Sequence, residues 1–215
     1  MIGIIGSGGH GKVIADIFIR AHAKPNLIFF TSPPLPPSAV FQSFPMYPDT
    51  PEQLLASQVV IAGWHVAIGN PFTRKKKIEF LLEQGGKLFQ AIHDRSIISS
   101  SAAIGEGTSL MAGAVINPEV VIGKGCIINT TASIDHDCSI GDYVNIGPGC
   151  KLAGGVKIGE CTDLGTGAIV IPGVEIGNCC LIGAGAVVIE PIPNYSVAVG
   201  VPAKVIKQVE HKGLP

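Results

Sequence analysis

Residues 128–158 read INTTASIDHDCSIGDYVNIGPGCKLAGGVKI, and an aliphatic side chain returns at every sixth place: Ile128, Ile134, Ile140, Ile146, Leu152, Ile158. The count holds from Ile98 to Val188 without an insertion, with Ile, Leu or Val at every anchor. Four residues after each anchor runs a second column of small or β-branched residues, from Ala102 and Thr108 through Cys126, Ala132, Cys138, Val144 and Cys150 to Ala186. A helix repeats its apolar face every 3.6 residues and a half-buried strand every two, so neither produces this period. A fixed short repeat is the mark of a solenoid, in which each unit is too small to bury a face alone and leans on the units above and below. Three flat sides and three corners give a coil of about eighteen residues, and coils stacked at about 4.8 Å give every backbone amide a partner. Glycine or another small or polar residue often follows the anchor (Gly105, Gly123, Gly141, Gly147, Gly159, Gly165, Gly177, Gly183), as a corner that needs unusual backbone angles would ask.

Composition narrows the setting. Of 215 residues, 47% are apolar and 14% charged, and the formal net charge is −1, so no basic surface for nucleic acid or acidic membrane is indicated. No apolar run is long enough to span a bilayer. The chain opens directly on a strand pattern, MIGIIG, with no charged leader, which reads as a cytoplasmic protein. Four of the six cysteines (Cys126, Cys138, Cys150, Cys180) fall in the small inward column and behave as small hydrophobes. Cys161 and Cys179 are off register and lack CxxC spacing, so no metal site is read here.

The first ninety residues or so read as a small α/β domain. A strand, Met1 to Ile5, leads into Gly6-Ser-Gly-Gly-His-Gly11 and a helical pattern through Val13, Ile17 and Ala21. A glycine-rich turn between strand and helix presents backbone amides to a phosphate. A dinucleotide site would want an acidic residue after the second strand, Leu27 to Phe30, to hold a ribose, and Thr31-Ser32-Pro33 stand there instead. The nicotinamide reading thereby loses its main discriminator. A proline-rich loop over residues 31–51 is placed to cover a site. It is followed by a short helix, Pro51 to Ala56, a strand, Val59 to Ala62, a basic helix, Arg74 to Glu83, with Lys75, Lys76 and Lys77 on a solvated face, and a strand around Leu88 to Ile92. The domains divide as 1–92 and 93–215.

One histidine has a distinctive setting. His136 lies two residues past an anchor, at a corner, so its ring projects outward, and Asp135 and Asp137 flank it. A carboxylate on one ring nitrogen fixes the tautomer and makes the other a better base. One coil further on stand Gly154 and Gly155. A bare position over the base leaves room for an acyl group, and its N–H suits a developing oxyanion.

The ordered set Ser7-Gly-Gly-His-Gly-Lys12, Ala67-Ile-Gly-Asn70 followed by Arg and Lys, Asn129-Thr-Thr-Ala-Ser-Ile-Asp-His-Asp-Cys138 within the repeats, and Gly200-Val-Pro-Ala-Lys204 resembles the sialic acid O-acetyltransferase family of hexapeptide-repeat acyltransferases. That family includes the bacterial nucleotide-4-amino-sugar N-acetyltransferases. The resemblance implies a left-handed parallel β-helix behind a Rossmann-like βαβ domain, a homotrimer, and acetyl-CoA as co-substrate without a metal. It implies His136 as general base with Asp137 supporting it. It places Gly9, His10, Gly11, Gly69, Asn70 and Asn129 near a nucleotide-linked sugar, and Asn145, Gly154, Thr166 and Ala184 along the coenzyme. Some members carry a second histidine near the thioester where this chain has Asn145. In relatives an acidic pair contacts the nucleotide base where Thr31 and Ser32 stand here. The readings that remain beside amine acetylation are sugar O-acetylation, a hexapeptide-repeat scaffold without catalysis, and a nicotinamide-dependent enzyme using the glycine-rich loop, against which the absent ribose carboxylate argues.

Overall fold

A computed structural model describes residues 1–21, 25–32 and 39–209. The chain begins with β1 (Ile2–Ile5), α1 (Gly9–Ala21), β2 (Leu27–Thr31), β3 (Met46–Pro48), α2 (Pro51–Ser57), β4 (Gly63–Val66) and α3 (Pro71–Glu83). The four strands form one parallel sheet in the order β3-β2-β1-β4. α1 packs Ile14, Ile17 and Phe18 against Ile4 and Phe29 on one face. α2 and α3 place Leu54, Ile78 and Leu81 against Ile5, Phe30 and Trp64 on the other. This is the half-Rossmann start that the glycine-rich turn announces.

Several boundaries move. The strand expected at Val59–Ala62 is a turn, and β4 lies four residues later. Burial explains the shift: Val59 is 93% exposed, whereas Trp64 is 1% exposed. Gly3 and Gly63 lack the Cβ atoms that would strike the Trp64 and Phe89 rings, so the bulky Trp64 fits between strands only in this register. In α1, Val13 faces solvent and Ile14 takes the core position. α3 starts at Pro71 rather than Arg74, because Asn70 Oδ1 accepts the Thr73 amide at 2.9 Å and proline suits the first helical position. Lys75 and Lys77 are not merely solvated: they pair with Glu160 at 2.5 Å and Asp49 at 2.7 Å. Within the proline-rich stretch, Met46–Pro48 pairs with β2 as an edge strand, while residues 33–38 lie outside the described residues.

From β5 (Ala91–Ile92) to β21 (Val187–Val188) the chain runs as two-residue strands in three parallel sheets, each strand pairing one coil up and one coil down. Ser133 and Ile134 pair with Lys151 and Leu152, and Asn145 with Asp163. Every anchor from Leu110 to Val188 is at most 3% exposed, and the small column between them is buried with it, Cys126, Cys138, Cys150 and Cys180 included. Only Ile98, Ala102 and Ile104, at the open first coil, are partly covered. Ala91–Ile92 already pairs with the next coil at Ser109–Leu110, so the coil begins just before the expected division. β22 (Ser196–Gly200) and β23 (Ala203–Gln208) continue one sheet and close the far end as a hairpin. No helix among the described residues is long and apolar enough to cross a membrane.

The glycines after the anchors have a different cause from the one expected. Their backbone angles are ordinary; a Cβ at Gly165 would lie 2.6 Å from the Ala184 nitrogen of the next coil, so what they provide is close approach. The left-handed backbone sits two residues later, at Gly149 and Gly155 but also at Thr131 and Asp137.

Candidate active site

His136 stands at the corner between the strands Ser133–Ile134 and Ser139–Ile140, its side chain 61% exposed. Its Nδ1 donates to Asp137 Oδ2 at 2.7 Å. Asp135 turns back, accepting the His136 amide at 2.9 Å and the Asn117 side chain at 3.1 Å. The Asp137 hydrogen bond, and then the Asp135 charge, hold the imidazole above its ordinary range. With Nδ1 committed, Nε2 carries the lone pair of the neutral ring and has no hydrogen-bond partner among the described residues. A Cβ at Gly154 would lie 2.6 Å from His136 Cε1 and 2.7 Å from Nε2. The space over Gly154 is therefore filled by the imidazole itself and is not left for an acyl group; the bare residue is a platform for the ring. The Gly154 carbonyl accepts from Gly173, while its N–H takes no backbone partner among the described residues.

A second group gathers where the N-terminal domain meets the coil. His10, Gly69, Asn129, Asn145 and Thr166, with Asp163 and the Gly147–Pro148 corner, line a cavity of about 230 Å³. His10 belongs to the first turn of α1, and its Nε2 is sealed from solvent without a hydrogen-bond partner. Burial, then the charges of His65 and Arg74, push its pKa down to about 3, so the ring is neutral. Gly9 is open on its Cα, whereas Gly11 is buried and packs against Gly6, where a Cβ would come within 2.5 Å of the carbonyl oxygen. Gly9 is thus free to approach a ligand and Gly11 serves helix–strand packing. Asn129 Oδ1 accepts the Thr130 amide at 2.8 Å, which holds the corner turn.

Two assignments change on this geometry. Asn145 has no donor left for a thioester oxygen: Nδ2 donates to Gly69 O at 2.8 Å and to Asp163 Oδ2 at 3.2 Å, while Oδ1 accepts from Arg74 at 2.7 Å. Asn70 is occupied as the cap of α3 and lines a neighbouring cavity of about 620 Å³ with Phe72, Asp163 and Leu181. Ala184 lies one coil above Thr166 and is exposed. Sequence reading also missed Arg74. It is 1% exposed and donates to the carbonyls of Ile68, Gly69, Gly125 and Tyr143 as well as to Asn145. Burial lowers its pKa to about 10, so the guanidinium stays charged. The sequence signal for Asp163 was available: it sits one coil above Asn145 in the outward column just before the anchors.

The two groups occupy different corners. Asn129 turns the chain from the face carrying Ile127–Ile128 to the face carrying Ser133–Ile134, and His136 turns it off that face again. One full side of the triangle separates them, at most about 20 Å of extended chain. The exposed imidazole and the domain-junction cavity of one copy are separate features.

A polar cleft against a nucleotide-type domain, and an outward carboxylate–histidine pair on a hexapeptide coil, define a hexapeptide-repeat acyltransferase. Residues 1–81 match the family model described as the PglD N-terminal domain, and residues 119–154 match the model described as bacterial transferase hexapeptide (six repeats). The chain is similar to the crystal structure of PerB from Caulobacter crescentus in complex with CoA and GDP-perosamine (38% identity, TM-score 0.86, 96% of this chain and 97% of that one). It is similar to the acetyltransferase domain of PglB from Neisseria gonorrhoeae FA1090 in complex with acetyl coenzyme A (34% identity, TM-score 0.88, 95% and 98%). A UDP-N-acetylbacillosamine N-acetyltransferase of Bacillus subtilis (strain 168) is 37% identical over 126 residues, 52% of this chain; the match spans about half (51%) of that relative's length. The chain belongs to the family of nucleotide amino-sugar N-acetyltransferases, and its coil is the left-handed β-helix of that family.

Proposed function

We propose that this chain transfers the acetyl group of acetyl-CoA to the amino group of a nucleotide-linked 4-amino sugar, a step in the making of surface glycans or glycoproteins. The observation that carries the reading is the His136–Asp137 pair, with Nδ1 bound at 2.7 Å and Nε2 unpartnered on an exposed ring. The sugar amine attacks the thioester carbonyl, Nε2 takes the proton the nitrogen loses, and coenzyme A leaves as its thiol once a proton returns to sulfur. Asp137 orients the ring and stabilises the imidazolium. The Gly154 N–H is the donor for the oxygen that becomes negative. The use of acetyl-CoA puts the reaction in the cytoplasm. Support comes from the relatives: the PerB structure holds CoA with GDP-perosamine, the PglB domain holds acetyl coenzyme A, and the Bacillus relative is a UDP-N-acetylbacillosamine N-acetyltransferase.

The acceptor's sugar lies in the cavity at His10, Gly69 and Asn129, with its nucleotide toward the open Gly8–Gly9 turn at the α1 N-terminus. Because that cavity and His136 occupy separate corners, a complete site takes the cavity from one copy and the imidazole from its neighbour, which a homotrimer with three-fold symmetry provides. Acetyl-CoA then runs between coils past Thr166. The test is mass spectrometry of a panel of nucleotide sugars, including GDP-perosamine and UDP-linked 4-amino sugars, after incubation with acetyl-CoA. The expected product gains one acetyl mass that mild base does not remove; a base-labile gain would mean an ester, and no gain on any member would refute the reading. His136→Ala should lower turnover by at least ~10².

A further inference from the structure

The lining of the cavity at the domain junction includes a single carboxylate, Asp163, which no assignment made so far uses. Asp163 lines it, and its carboxylate is held from behind: Arg74 donates to Asn145 at 2.7 Å, and Asn145 donates to Asp163 Oδ2 at 3.2 Å. The relay begins on a fully buried cation that also grips the carbonyls of Ile68 and Gly69, the segment forming the cavity's other wall. Asp163 Oδ1 has no hydrogen-bond partner among the described residues. His10 lines the same cavity, with its Nε2 sealed from solvent. A half-buried carboxylate oxygen without a partner, at the wall of a small cavity, points to a ligand that supplies the missing bond.

The chemistry of that ligand follows. An ionised carboxylate only accepts hydrogen bonds, and a neutral imidazole brings no positive charge. Such a pair rejects phosphate and suits hydroxyl or amine N–H donors. The volume, about 230 Å³, lies below the roughly 300–1,000 Å³ of ordinary small-molecule clefts. It accommodates one sugar ring and not a whole nucleotide sugar. We propose that Asp163 is a specificity-determining residue of the acceptor site, taking a hydrogen bond from an amine or hydroxyl of the sugar ring, with Arg74 and Asn145 as the positioning residues that aim it; this rests on the acetyltransferase reading above. Asn145 is then a strut in the wall, which accounts for a side chain with both amide hydrogens committed.

The experiment is calorimetry on the intact protein and on Asp163→Asn, titrated with GDP-perosamine and its UDP-linked 4-amino counterpart, with GDP-mannose, with GDP and UDP alone, and with CoA. Asn keeps the shape and removes the charge, and thermal melting of each variant checks folding. Losing a hydrogen bond to a charged group corresponds to about 10- to 100-fold in affinity. The expected result is a loss of at least ~10-fold for the amino-sugar nucleotide, with the affinities for the free nucleotide and for CoA unchanged within about twofold. An equal loss on GDP-mannose identifies the donor as a ring hydroxyl, and a loss confined to the amino sugar identifies the amine. Arg74→Lys, which keeps the charge but not the forked donors, should show the same pattern more weakly. Unchanged sugar affinity in Asp163→Asn, or a loss that falls on CoA instead, would overturn the proposal while leaving the acetyltransferase reading intact. Failure of the parent protein to bind any nucleotide sugar would overturn both.

Discussion

Asp137 occupies a backbone position with φ of 61°, a left-handed slot that other coils fill with glycine, as at Gly149 and Gly155. A side chain in that region costs roughly 1 kcal/mol, less for Asp than for most residues. The carboxylate is kept there because the slot aims it at the Nδ1 of its neighbour. Asp137→Gly should therefore leave stability unchanged or raise it by up to about 1 kcal/mol, while lowering turnover about tenfold or more. Paired melting curves and turnover measurements would show it; a parallel fall in both would mean that the residue is structural. Protonation makes a linked prediction. The Asp137 hydrogen bond raises the His136 pKa, and the active form is unprotonated, so kcat/KM should rise with pH through an inflection above the ordinary imidazole value of about 6.5. In Asp137→Asn the inflection should move to lower pH, because the imidazolium loses its counter-charge.

Single coils and strands follow two rules that a linear reading separates unevenly. The six-residue period was legible because every anchor must be aliphatic when coils stack with nothing else between them. The reason for the following glycines was not, since it lies in the distance to a chain about eighteen residues away. β4 was misplaced for a similar reason. Val59 to Ala62 is apolar enough for a strand, but the register is set by Trp64, whose ring needs Gly3 beside it. β4 also carries His65, 0% exposed, which bonds Phe89 O at 2.8 Å and Ser109 Oγ at 3.0 Å and so ties the sheet to the coil. Burial holds this histidine neutral, with its pKa lowered from 6.5 to about 4. The unfolded chain binds the proton first, so His65 stabilises fully above pH about 6.5 and loses that contribution, on the order of 3 kcal/mol, as pH falls toward 4. Melting temperature should drop across that interval, and His65→Gln should make the drop shallower, leaving the part due to His10, whose pKa is lowered to about 3; an equally steep fall in the variant would exclude His65 as a cause.

For the whole molecule, the decisive feature is that the residues expected to form one site lie on two corners. His10, Gly69, Asn129 and Thr166 meet in one cavity, while His136, Asp137 and Gly154 stand a full side away. If neighbouring copies complete each other's sites, co-expressed His136→Ala and His10→Ala chains should recover activity that neither has alone. Random mixing of equal amounts restores about a quarter of the sites in a symmetric ring. Mixed assemblies, isolated with two different tags, that stay at background would show that each copy is self-contained.

The sequence by itself determined the solenoid, its coil length, the glycine-rich strand–turn–helix opening and the outward histidine between two acids, because each depends on neighbours at fixed spacing along the chain. Only the tertiary structure decided that Arg74 is buried, that Asn145 is spent on the domain junction, that Asp163 and His10 line one cavity, and that Gly154 carries the imidazole and not an acyl group. Those facts depend on how the N-terminal sheet and its helices pack against one side of the coil. No periodicity encodes that docking, because its contacts join residues as far apart as Arg74 and Asn145 through side chains whose partners are fixed only when both surfaces are in place.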